Sequence, residues 1–65
     1  MERLHEAALH ARLRALSAQY MPDRSTGGAH IYWAPPSRKW IKVYRSAPGV
    51  VTLEYHATCP CSKVP

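Results

Sequence analysis

The spacing of apolar residues changes from a helical to a strand period about halfway along the chain. Over residues 2–21, Leu9, Leu13, Leu16 and Tyr20 recur at intervals of four, three and four, which aligns them on one stripe of a helix. The segment is rich in Ala, Leu, Arg and Glu, all good helix formers. Glu2 and Glu6 lie in its early turns and Arg12 and Arg14 later, the order that the helix dipole favours. Pro22 is expected to end it. Leu4 falls on another side with Ala7, Ala8, Ala11, Ala15 and Ala18, a small-residue face suited to a neighbouring helix, a partner or a second copy of the chain in a homodimer.

Residues 29–34, 38–45 and 50–57 read instead as strands, with side chains alternating between two faces. One face then carries Ile31, Trp33, Ile41, Val43, Val51, Leu53 and Tyr55, the expected core side. The other carries His30, Tyr32, Trp40, Lys42, Tyr44, Thr52, Glu54 and His56. Pro22–Gly28 reads as a loop, and Ala34-Pro35-Pro36-Ser37 and Ser46-Ala47-Pro48-Gly49 as hairpin connections, because Pro, Gly and Ser are turn formers. Opposing Val43 with Leu53 also opposes Ile41 with Tyr55, Lys42 with Glu54 and Trp40 with His56. This register keeps the apolar face intact and pairs opposite charges. The predicted architecture is α+β: a single N-terminal helix, 2–21, packed on a three-stranded antiparallel β-meander (α-β-β-β). It forms one domain over 1–65, with a short tail at 58–65.

Sixty-five residues leave room for one modest core and none for a deep enclosed active site. Hydrophobic content of 46% favours folding over disorder. Nine Lys plus Arg stand against four Asp plus Glu, a net charge of +5. The distribution sharpens the point: no acid lies between Asp23 and Glu54, whereas Arg24, Arg38, Lys39, Lys42 and Arg45 all do. Such a field attracts phosphate or acidic protein surfaces. No segment reaches transmembrane length, and Met1-Glu2-Arg3 leads directly into a charged stretch. No membrane partner is therefore expected, and a cytoplasmic location is the default.

Aromatic rings interleaved with basic groups on an open sheet suit base stacking and phosphate neutralisation. The residues expected to bind are Tyr32, Trp40 and Tyr44 as rings, with Arg38, Lys39, Lys42 and Arg45 as cations. The leading expectation is a small, basic, non-enzymatic nucleic-acid-binding protein, an accessory factor of a bacterium or phage. The alternative is an inhibitor or adaptor from a phage or mobile element that docks on a host enzyme through the same patch, since aromatics with Arg also mark protein interfaces. A third reading is a small ribonuclease-type toxin, with His30 and His56 sharing the open face as acid and base. At the level of fold, the opening helix and strands look like the start of a double-stranded-RNA-binding domain, without that family's closing helix or Lys cluster. The aromatic sheet is similar in logic to an RNA-recognition motif, without its signature strings.

His56-x-x-Cys59-x-Cys61 gathers three donors that zinc prefers, but not at the usual paired two-residue gaps. Zinc through His56, Cys59 and Cys61 is therefore a minority reading, and no cofactor is expected. Cysteines this close form only a strained intrachain disulfide. Gly27-Gly28 lacks the Lys and Ser/Thr of a phosphate-binding loop, and the four acids are too scattered for paired-carboxylate chemistry.

Overall fold

A computed structural model describes residues 1–60. It replaces the expected three-stranded meander with a five-stranded antiparallel sheet and one short helix. In chain order the elements are β1 (Glu2–His5), α1 (Leu9–Ala15), β2 (Gln19–Tyr20), β3 (His30–Ala34), β4 (Lys39–Ala47) and β5 (Val50–His56). Short 3-10 turns at Glu6–Ala8 and Pro22–Arg24 link them, and the sheet order is β1-β5-β4-β3-β2.

The expected helix over 2–21 therefore survives only at its centre. Glu2–His5 pairs antiparallel with β5, setting Glu2 opposite Leu53 and Leu4 opposite Val51. Helix propensity differs between ordinary residues by only a few tenths of a kcal/mol. Completing the β5 ladder while burying Leu4 against the core outweighs it. His5 then turns the chain, its Nδ1 accepting from the Ala7 amide at 3.1 Å. A seven-residue helix is too short to hold itself in water. Leu9, Leu13 and Leu16 hold it by packing on the sheet, as their spacing predicts.

The helix ends at Ala15, seven residues before Pro22, in a Schellman motif. Ser17 adopts φ 53°, its amide donates to Arg14 O, and the Ala18 amide reaches back to Leu13 O at 2.9 Å. A non-glycine residue in the left-handed region is disfavoured by roughly 1 kcal/mol. Ser17→Gly is expected to raise stability by about 0.5–1 kcal/mol, read as a higher thermal midpoint; an unchanged or lower midpoint would contradict this cap. The expected Ala face is broken up as well. Ala7 and Ala8 fall in the 3-10 turn, Ala11 and Ala15 are exposed, and Ala18 packs inward.

The β4–β5 register is the predicted one: Trp40 faces His56, Ile41 Tyr55, Lys42 Glu54 and Val43 Leu53. A bulge between Arg45 and Ala47 shifts the ladder just before the Pro48-Gly49 turn, where Gly49 supplies φ 74°, a conformation that favours glycine. Leu13 of α1 packs on Ala34, Ile41, Val43, Val51 and Leu53 of the sheet, all buried, with Leu4, Tyr32 and Tyr55 packed against them.

β3 inverts the expected faces. Ala34 pairs with Lys39, Trp33 with Trp40, Tyr32 with Ile41, and Ile31 with Lys42. Four loop residues, 35–38, separate the paired ends, so odd positions on β3 share a face with even positions on β4. Tyr32 and His30 consequently lie on the helix side, while Ile31 and Trp33 lie on the opposite face, where Ile31 is nonetheless buried at 2% exposure, as expected of it.

An ion-pair cluster fixes β1 to both the helix and β5. Tyr55 Oη donates to Glu2 Oε1 at 2.6 Å, and Arg12 Nε donates to the same oxygen at 3.0 Å. The Tyr55 hydrogen bond, then Arg12, lowers the Glu2 pKa below its usual 4.5. A carboxyl depressed in the folded state stabilises the fold above its unfolded pKa, and that contribution is lost as pH falls through the folded value. Denaturation midpoints are expected to drop below pH 4.5. The drop should be shallower in Glu2→Gln, and an identical acid profile for the variant would rule out this linkage.

Candidate functional site

The face turned away from α1 is built in rows across the strands. β3, β4 and β5 contribute Trp33, Trp40 and His56 to one row, and Ile31, Lys42 and Glu54 to the next. Tyr44 and Thr52, with Arg3 from β1, make the third. Directly opposed residues project on the same side of a sheet, so this placement follows from register alone.

Trp33 and Trp40 form a tilted pair with ring centroids 4.9 Å apart, and both are half-buried. Beyond β2 the chain turns through Pro22–Arg24 beside β3 and brings the Arg24 guanidinium 5.2 Å from the Trp40 ring centroid. That is cation–π range. The same guanidinium donates to Cys59 Sγ at 3.6 Å, so the segment after β5 also borders this edge of the face.

The second half of the face is polar. Tyr44 Oη donates to Glu54 Oε2 at 2.7 Å, and His56 Nε2 lies 3.1 Å from Glu54 Oε1. Both carboxylate oxygens thus have partners. The Tyr44 hydrogen bond, followed by that of His56, holds the Glu54 carboxyl below its ordinary pKa, and the same bond to Glu54 raises the Tyr44 phenol. Lys42 stands directly opposite Glu54, yet its ammonium sits 5.8 Å from the Tyr44 ring centroid. Among the described residues it forms no ion pair. Tyr44 and His56 hold the carboxylate at hydrogen-bond range, and Lys42 acts on it only through space, adding to the lowering of the Glu54 pKa.

Of the eight residues expected on the open face, Trp40, Lys42, Tyr44, Thr52, Glu54 and His56 share it. Tyr32 does not. It packs on the helix-side core and against Tyr20, with ring centroids 5.4 Å apart. Lys39 lies opposite the buried Ala34 on that same side, and Arg38 occupies the loop with φ 54°. Arg45 also points to the helix side, where it pairs with Glu6 at 3.1 Å. Trp33, Arg3 and Arg24 join the face unanticipated. For Trp33 the signal was the length of the Pro35–Arg38 loop. Arg24 and Arg3 reach it only through tertiary folding.

His30 and His56 stand on opposite faces, because His30 pairs with Val43 while His56 pairs with Trp40. Acid–base work shared between those two imidazoles is therefore ruled out. His30 instead lies 3.4 Å from the Tyr20 hydroxyl and lines a helix-side cleft of about 570 Å³ with Glu6, Leu9, Gly28 and Arg45. Of the zinc donors considered, Cys59 is disulfide-bonded and so offers no thiolate, and Cys61 lies outside the described residues. Among the described residues no group of three or more His, Cys, Asp or Glu is placed to hold a metal, and no helix is long and apolar enough to cross a membrane.

No family model matches the chain, and neither a curated protein nor a solved structure shows a significant match to it.

Proposed function

We propose that this chain binds single-stranded nucleic acid through the face formed by Trp33, Trp40, Lys42 and Tyr44. The observation that carries the reading is the Trp33–Trp40 pair beside a lysine whose neighbouring carboxylate is already engaged by Tyr44 and His56. Ring faces accept any base, at about 1–3 kcal/mol per stacked base, and cations add a salt-dependent contribution. Among the described residues of β1, β3, β4 and β5, Arg3 and Lys42 outnumber Glu54 on this side, a charge that favours phosphate.

A single strand fits better than a duplex. Trp40, Lys42 and Tyr44 project from one side of β4 at every second residue, in steps of about 6.8 Å. That alternation of ring, cation and ring follows an extended strand of bases and phosphates. A duplex keeps its base faces stacked internally and offers them to no side chain.

The test is a titration of intrinsic Trp fluorescence with short single-stranded DNA and RNA at several salt concentrations. Quenching that saturates, and an affinity that falls with salt, is the expected result. Lys42→Ala should weaken binding and reduce the salt slope by about 1, the mark of one lost phosphate contact. Absence of quenching by either nucleic acid at low salt would refute the proposal.

A further inference from the structure

Of the features outside the stacking rings, the cluster Glu54–His56–Tyr44–Lys42 carries the most chemistry. The helix-side cleft is weaker, because its Glu6 and Arg45 already satisfy each other. The Ala residues of α1 form no continuous face.

Resting on the reading of the face as a single-strand site, we propose that it cleaves RNA without metal, His56 taking the proton of a ribose 2′-hydroxyl. Four placements support this. His56 lies across from Trp40, so a nucleotide stacked on that ring brings its sugar beside the imidazole. The Nε2 edge of His56 is held 3.1 Å from Glu54 Oε1, which directs the Nδ1 edge away from the carboxylate. Tyr44 fixes the other carboxylate oxygen at 2.7 Å, so the orienting group is itself held. Lys42 is a diagonal neighbour of His56 across β4 and β5, roughly 7–8 Å away at the backbone, near enough to reach a phosphate held at His56 once its ammonium leaves the Tyr44 ring.

In the step, the 2′-oxygen attacks the adjacent phosphorus while its proton passes to His56 Nδ1. The new O2′–P bond forms and the P–O5′ bond breaks. The 5′-oxygen leaves with a proton from water, which reaches the partly exposed His56 side chain, and the hydroxide so formed takes the proton back from His56. The products are a 2′,3′-cyclic phosphate and a 5′-hydroxyl, with no oxidant, reductant or metal required. Lys42 balances the charge that accumulates on the phosphate oxygens. Glu54 is a positioning residue: it touches His56 and not the substrate.

The test uses the full chain with chelator present and a DNA oligonucleotide carrying one ribonucleotide. Cleavage is expected only after that ribonucleotide, leaving a 2′,3′-cyclic phosphate, while the all-deoxy strand binds and stays intact. His56→Gln should lower the rate at saturating strand by about 100-fold or more, the usual contribution of a positioned base, so that a change in affinity is separated from the loss of rate. Glu54→Gln should lower kcat and leave KM unchanged, and Glu54→Asp should recover part of the loss. Binding without cleavage overturns this inference and leaves the single-strand reading standing; no binding removes both. Cleavage of the all-deoxy strand, or cleavage undiminished in His56→Gln, also overturns it, whatever the behaviour of the variants' folds.

Discussion

Trp40→Ala is expected to weaken single-strand binding by roughly 5- to 150-fold, the equivalent of about 1–3 kcal/mol for one lost base stack. The residue stands at the centre of its row, in ring contact with Trp33 at 4.9 Å and beneath Arg24 at 5.2 Å. Its removal takes away a stacking surface and the ring beside the Arg24 guanidinium. Because Trp40 is only half-buried, the fold should remain intact by circular dichroism. Trp33→Ala should produce a smaller loss of the same kind, while Tyr32→Ala, on the helix side, should leave affinity unchanged. Affinity retained in Trp40→Ala would place the binding surface elsewhere.

Leu53→Ala is expected to cost about 2–5 kcal/mol of stability. Leu53 has no exposure at all and lies in the middle of β5, flanked by β1 and β4. Its side chain sits in the core with Leu13, Val43, Val51 and Ile41. A chain of this length has a total stability of only about 3–10 kcal/mol. The variant should therefore lose a large share of its stability, seen as a lower midpoint in urea. A loss under 1 kcal/mol by urea denaturation would mean that the core beneath the helix is not close-packed.

The C-terminal hairpin was legible because two independent constraints agree there. Alternation assigns Ile41, Val43, Val51 and Leu53 to one face, and only one register also sets Lys42 against Glu54. The first hairpin offered no second constraint. Both assignments of β3 bury an aliphatic side chain and expose an aromatic, so Ile31/Trp33 and Tyr32/Ala34 were equally acceptable from pattern alone. The four-residue loop decided between them.

The N-terminal error has a different cause. Local propensity over 2–21 is helical throughout, and the need of β5 for an edge partner is a long-range demand that no local window contains. One residue did point to it: Leu4 never fitted the Leu9/Leu13/Leu16 stripe, and in the folded chain it packs on the core from a strand. Of the binding face, Trp40, Lys42 and Tyr44 could be read from β4 itself. Arg24, Trp33 and Arg3 depend on how separate segments meet, as does the separation of His30 from His56.

The most direct measurement is a backbone and indole chemical-shift map of the labelled protein titrated with a short single-stranded oligonucleotide. Perturbations are expected at the indoles of Trp33 and Trp40 and at Lys42, Tyr44 and His56, with Tyr20, His30 and Tyr32 unmoved. Shifts concentrated on those last three residues, or no shifts with either DNA or RNA, would contradict the assignment of function to the face opposite the helix.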